Sequence, residues 1–254
     1  MNQTLSECLR ELHLPGVLAG YENLAEVARR ESFSYEKYLQ EVVEGERQLR
    51  HEKRVQRLLG QSRLPMEKTL EAFDRGRLPV KVSAQLSRLV EGDFVERREN
   101  VLAFGNPGSG KTHLLCALGH ELVRRGYCVL FRPCELLVQE LLRAKRDLDI
   151  GRVLKRLRHY QVIIVDDIGY VQQSREEMEV LFSLLSDRYE RGSVMVTSNL
   201  AFSEWEKIFK DPMTTAAAID RLVHHSIILE LNLPSYRLEQ AKKRKKGAEG
   251  PDRR

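Results

Sequence analysis

The eight residues from Gly105 to Thr112, GNPGSGKT, have the types and spacing needed to hold a polyphosphate. Gly105, Gly108 and Gly110 let the backbone turn tightly enough for consecutive N–H groups to converge on phosphate oxygens. Asn106, Pro107 and Ser109 complete the loop. Lys111 can bridge the β- and γ-phosphates of a nucleotide such as ATP, and the Thr112 hydroxyl can ligate Mg²⁺. Three further positions fit the same chemistry. The run QVIIVDD (161–167) delivers Asp166 at the end of an apolar stretch, where a carboxylate can hold Mg²⁺ through a water. Asp167, beside it, can orient or deprotonate an attacking water. The run GSVMVTSN (192–199) ends on Asn199, whose amide can hydrogen-bond both that water and the γ-phosphate, and Arg221 in AAAIDRLVHHS can reach a neighbouring subunit's γ-phosphate.

These residues need a scaffold that brings them together. The apolar runs NVLAFG (100–105), YCVLFR (127–132), QVIIVDD, GSVMVTSN and HSIILEL (225–231) alternate with helical patterns. That alternation predicts an α/β fold, a parallel five-stranded sheet with helices on both faces. Residues 1–75 are rich in Leu, Glu and Arg, with apolar positions three or four apart, and read as a small all-helical domain. The Gly/Pro break in RGRLPV marks the expected boundary, with the ATPase domain over 76–241 and a basic tail over 242–254. The tail holds seven basic and two acidic side chains, so the net +5 of the 254 residues belongs to it and the rest is balanced. The first residues lack the pattern of a secretory signal, no apolar stretch reaches membrane-spanning length, and four scattered cysteines form no CxxC pair. A cytoplasmic protein with no membrane partner is expected.

The phosphate-binding loop, hhhhDD, TSN and DRL, in this order and spacing, resemble the AAA+ ATPases of the helicase-loader branch. The wording of NVLAFGNPGSGKTHLLCALG, DDIGY, DRYERGSVMVTSN, SEWEKIF and SYR is similar, more closely, to the IstB-like ATPases that assist insertion-sequence transposition. The resemblance implies that Gly105, Gly110, Lys111 and Thr112 bind ATP and Mg²⁺. It also implies that Asp166 is the metal-side acid, Asp167 the catalytic one, Asn199 sensor 1 and Arg221 an arginine finger. Most AAA+ proteins carry Glu at position 167; Asp reaches about 1.5 Å less far, one C–C bond, which predicts slow or activator-dependent hydrolysis. Little sequence follows the last strand, so a helical lid is expected to be absent or minimal, with Arg237 as a substitute second sensor.

Two basic stripes lie outside these motifs. Arg47, Arg50, Lys53, Arg54 and Arg57 fall within about a third of one helix's circumference. The segment between the second and third strands carries Arg143, Lys145, Arg146, Arg152, Lys155, Arg156 and Arg158. Neither has a base-reading signature, so they predict sequence-independent contact with a phosphate backbone. The expected activity is ATP-dependent assembly, as a ring or a helix, on duplex DNA to assist a partner transposase. A replicative helicase loader and a nucleotide-gated DNA scaffold that barely hydrolyses are the alternatives. A small-molecule kinase is disfavoured, because no arginine-rich lid follows the sheet.

Overall fold

The computed structural model describes residues 3–169, 174–200, 204–205, 212–236 and 238–239. Arg237, the tail over 242–254 and any lid therefore lie outside the described residues. The chain divides into two compact units, Met1–Arg57 and Leu58–Arg254.

The first unit holds α1 (Gln3–Glu11), α2 (Pro15–Arg30) and most of α3 (Tyr35–Ser62). No side chain caps α2 at its own N-cap, Leu14. Glu46, from α3, does so instead: its Oε2 accepts from Gly16 N–H at 2.6 Å and Val17 N–H at 3.1 Å. A carboxylate at a helix N-terminus satisfies orphan donors and complements the dipole. Arg50 closes the arrangement, bonding Glu46 at 2.6 Å and the His13 carbonyl at 2.8 Å.

The second unit contains α4 (Val80–Leu89), α5 (Asp93–Glu96) and then the alternating elements. These are β1 (Asn100–Phe104), α6 (Lys111–Arg124), β2 (Val129–Pro133), α7 (Cys134–Arg146), α8 (Ile150–Leu157), β3 (Val162–Asp166), α9 (Arg175–Arg188), β4 (Ser193–Ser198), α10 (Pro212–Val223) and β5 (Ser226–Glu230). The five strands are parallel, in the order β2-β3-β4-β1-β5. Their near-continuous apolar sequences follow from coverage on both faces. On one face Leu102, Ile163, Val165 and Val196 pack with Leu137, Leu141, Leu181 and Leu222 of α7, α9 and α10. On the other, α6 lies across β1 to β4 with Leu114, Leu115, Leu118 and Leu122 fully buried. A capping box of Ser174 and Glu177 starts α9.

The division between units falls at 57/58, inside α3, and not at the Gly/Pro break expected near 75. That break is a single turn of 3₁₀ helix, Arg75–Arg77. Residues 64–74 instead form a strap packed on α6. Leu64 side-chain carbons lie 3.0–3.4 Å from where a Cβ on Gly119 would stand. His120 Nε2 lies 3.0 Å from the Pro65 carbonyl, His113 Nε2 lies 3.0 Å from the Thr69 carbonyl, and Arg124 pairs with Glu71 at 2.9 Å. Helical composition led the sequence to assign these residues to the first domain, but their contacts are with the sheet domain.

Candidate functional site

All strand C-termini share one edge of the sheet, where ligands of open α/β folds bind. The loop after β1 leaves that edge between β4 and β5. Two of its glycines are fixed by what passes over them. A Cβ on Gly105, at φ 148°, would stand 2.1 Å from the Leu231 carbonyl oxygen, and one on Gly108, at φ 79°, would stand 2.3 Å from Ser235 Oγ. The segment after β5 is hydrogen-bonded to the loop, Leu231 N–H to the Phe104 carbonyl at 2.7 Å and Tyr236 N–H to the Gly108 carbonyl at 3.0 Å. Lys111 opens α6 and is buried; its Nζ donates to the Gly105 and Asn106 carbonyls at 2.8 and 2.9 Å. The ammonium thus sits over the loop, where a phosphate can exchange for these carbonyls.

Asp166, Asp167 and Asn199 meet at the ends of β3 and β4. Asp166 Oδ1 accepts from the hydroxyls of Thr112 and Thr197, both at 2.7 Å. Thr197 Oγ1 in turn accepts from Asp167 N–H at 2.7 Å, and Asn199 Nδ2 donates to Asp167 Oδ1 at 3.1 Å. Asp167 has φ 66°, the left-handed region that costs a non-glycine residue energy. Its N–H bond to Thr197, and the bond of Ile168 N–H to the Thr197 carbonyl at 3.0 Å, hold that turn. The turn sends consecutive carboxylates to different jobs, Asp166 toward Thr112 and Asp167 toward Asn199. Thr197 went unread in the sequence, because its polar run TSN resembles an ordinary turn start; an inward Thr one residue short of a strand end was the available signal.

The groove above the loop has a volume of about 390 Å³. Lys111, Thr112, Asp167 and Asn199 line one part, and Phe73 and Tyr236 another. Phe73 belongs to the strap and meets His113 edge-to-face at 5.1 Å. The Arg77 guanidinium lies over the Tyr236 ring at 5.1 Å and donates to the Pro234 carbonyl at 2.9 Å. Hydrogen bonds from its own backbone N–H and the Thr69 hydroxyl, together with Arg124, pull the Glu71 carboxyl down to about 2. These aromatic residues were not anticipated, since nothing in sequence links position 73 to position 110.

Arg221 stands elsewhere. It ends α10, just before β5, at the opposite edge of the sheet, about 16 Å away for a five-residue strand. Its guanidinium rests 4.8 Å from the Phe182 ring centre and donates to the Ala217 carbonyl at 3.0 Å. Asn100 anchors the end of that helix, donating to the Leu222 carbonyl at 3.1 Å while accepting from Val194 N–H at 2.8 Å.

The basic stripes are partly engaged within the chain. Arg50 serves the Glu46 cap, Arg47 pairs with Glu44 at 2.6 Å, Lys145 with Glu179 at 2.8 Å and Arg152 with Asp149 at 3.3 Å. Arg156 pairs with Glu140 and Arg158 with Asp187. Lys53, Arg54, Arg57, Arg146 and Lys155 are exposed. Pairs this exposed contribute little, typically under about 1 kcal/mol, and exchange readily; Arg50, on a buried carboxylate, is structural.

A family model described as IstB-like ATP binding protein matches residues 7–244. The chain belongs to that family. A Sinorhizobium fredii protein named as an insertion sequence ATP-binding protein is 40% identical over 94% of this chain and 80% of its own length. A Pseudomonas aeruginosa protein named for ATP binding and insertion sequence IS21 is 41% identical over 87% of this chain and 84% of its own. Among solved structures, AMPPCP-bound DnaA from Aquifex aeolicus superposes with a TM-score of 0.57 at 19% identity, covering 76% of this chain and 59% of that one. The DnaC helicase loader superposes at 0.54 and 16% identity, over 65% of this chain and 97% of that one. These likenesses establish the AAA+ fold expected for an IstB-like protein. Among the described residues no helix is long and apolar enough to cross a membrane.

Proposed function

We propose that this IstB-like protein is an ATPase that assembles on duplex DNA, in a ring or a helix, and assists a transposase in target selection and integration. The observation that carries the reading is the separation of Arg221 from the polar network of Thr112, Asp166, Thr197, Asp167 and Asn199. One chain has the parts to bind and orient ATP, and it carries its candidate finger at the far edge, where only another copy's nucleotide is within reach. ATP lies in the groove above the loop, with its phosphates on the loop N–H groups and on Lys111. Thr112 and Asp166 offer a hydroxyl and a carboxylate 2.7 Å apart, the all-oxygen pair that suits Mg²⁺, which keeps waters and substrate phosphates as its other ligands. Bound there, Mg²⁺ supplies positive charge that neutralises the phosphates in phosphoryl transfer. Asp167 takes the proton of the attacking water, and Asn199 holds Asp167 and that water in line. Arg221 of a neighbouring copy stabilises the charge that builds on the γ-phosphate. Phe73 and Tyr236 cover the nucleoside end.

DNA is held without base reading by exposed cations of the two stripes, Arg47, Arg54 and Arg57 on α3 and Lys145, Arg146, Arg152 and Lys155 on α7 and α8. The test is the mass distribution of the protein on duplex and single-stranded DNA, with and without ATP, together with phosphate release. Large assemblies and phosphate release that need ATP and duplex are the expected result. Assembly only on single strands would favour a helicase loader, and assembly without hydrolysis would favour a nucleotide-gated scaffold.

A further inference from the structure

A second cleft lies on the far side of the sheet domain from the phosphate loop's neighbours β1 and β5, against β2, which ends the strand order. Its volume is about 490 Å³. Four guanidinium groups line it, Arg63, Arg132, Arg143 and Arg156, against one carboxylate, Glu140. Glu140 shows what these arginines accept: Oε2 takes Arg132 Nη2 at 2.9 Å and Oε1 takes Arg156 Nη2. That leaves Arg63 and Arg143 exposed with no ion pair among the described residues, and the cleft three positive charges in excess. Arg132 Nε is enclosed and has no hydrogen-bond acceptor among the described residues, an orphan donor of the kind that folded proteins rarely leave unmet. The remaining wall is Gln139 with the apolar Leu130, Leu157, Tyr160 and the half-exposed Leu136. β2 ends the sheet, but its Val129, Leu130 and Phe131 are buried, so the cleft and not the strand edge is what a partner can reach.

We infer that this cleft is a docking site for a segment of a partner protein that carries both acidic and apolar side chains. Each feature selects that chemistry. Arginine at all four positions favours planar, two-toothed capture of carboxylates. The Leu136 and Tyr160 wall needs apolar side chains to fill it, which a phosphate backbone lacks. Of the basic stripe between β2 and β3, Arg143 and Arg156 line the cleft whereas Arg146, Arg152 and Lys155 do not, so the cleft takes only part of the surface expected to meet a duplex.

The test uses the full-length protein and a fluorescein-labelled hexapeptide of alternating aspartate and leucine, read by anisotropy. A peptide with asparagine in place of aspartate is the comparison. We expect the aspartate peptide to bind at least tenfold more tightly than the asparagine one. The double substitution Arg63→Glu and Arg143→Glu should lower its affinity at least tenfold, whereas Arg146→Glu, outside the cleft, should change it less than twofold. Both side chains are exposed and make no ion pair among the described residues, so an unchanged unfolding midpoint is expected; if the reversal lowers it, Arg63→Gln with Arg143→Gln carries the same comparison. Equal binding of the two peptides, or equal loss in Arg146→Glu, would overturn the assignment. So would displacement of the peptide by a duplex whose own binding falls in the Arg63/Arg143 variant, because the cleft would then be a DNA surface.

Discussion

The two edges of the same parallel sheet are built for opposite purposes. At the C-terminal edge the chain is bent into costly shapes, a glycine loop pressed under the segment after β5 and Asp167 at φ 66°, and the polar groups point into a groove. At the N-terminal edge the polar groups are spent on holding the scaffold. Arg188, almost entirely buried, donates to the carbonyls of Tyr160, Gln161 and Ser193 at 2.6, 2.8 and 3.1 Å and ties the entries of β3 and β4 together. Burial pulls its guanidinium down to about 10, still cationic at neutral pH. Asn100 does the same for β1 and the end of α10, and so fixes the backbone that carries Arg221. The first edge can bind and cleave; the second can present a cation on a rigid mount. In the proposed ATPase the second edge supplies the cation that the first lacks, and in one chain the two face apart.

Four substitutions sharpen or break this contrast. The largest effect is expected for Arg221→Ala, which should lower DNA-stimulated ATPase by on the order of 10³, the usual worth of an arginine finger. ATP affinity of the unassembled protein should stay within about threefold, read by equilibrium titration; a matching loss of affinity would place Arg221 in a structural role. Arg188→Ala should cost about 2–4 kcal/mol in denaturant unfolding, through three lost hydrogen bonds from a buried group and a cavity. ATP affinity of the folded fraction should be unchanged, as expected for the supporting edge. Thr197→Val removes the hydroxyl that links Asp166 to Asp167 N–H and should lower kcat about 10–100-fold, the usual cost of losing a residue that orients metal ligands. Thr197→Ser should recover most of it, whereas a role in core packing alone would leave the serine variant no better than valine. The smallest effect concerns the strap. The Glu71 carboxyl has its pKa lowered from 4.5 to about 2. A lowered carboxylate pKa adds stability that is complete above the ordinary value and is lost as pH falls through the folded one. Unfolding midpoints should therefore fall a little between pH 4.5 and 2, and Glu71→Gln should flatten that fall.

Much of the site was legible before the fold, for physical reasons. The loop from Gly105 to Thr112 carries its own context, because strand, glycines and helix are contiguous in the sequence. The strands were legible because a sheet covered on both faces needs continuous apolar runs, which VIIVD and SVMVTS supply. What sequence could not give were contacts across long separations. Phe73 reaches the loop from the strap, Glu46 caps α2 from 30 residues away, and Glu140 holds Arg156 from 16. The boundary near 75 was misread for the same reason. Helical texture describes what residues 58–75 form locally, and burial of Leu58, Leu64 and Leu70 depends on where they dock.

The central claim, that one copy's finger completes another's site, is tested most directly by mixing two inactive proteins. Lys111→Ala lacks the ammonium that sits over the loop but keeps Arg221, while Arg221→Ala keeps an intact loop. Each alone should show ATPase reduced by on the order of 10² or more on duplex DNA. An equimolar mixture should regain a substantial part of wild-type turnover, because Lys111→Ala subunits supply the finger to Arg221→Ala sites. A mixture no more active than the average of its two components would contradict the account and place Arg221 in the service of its own chain.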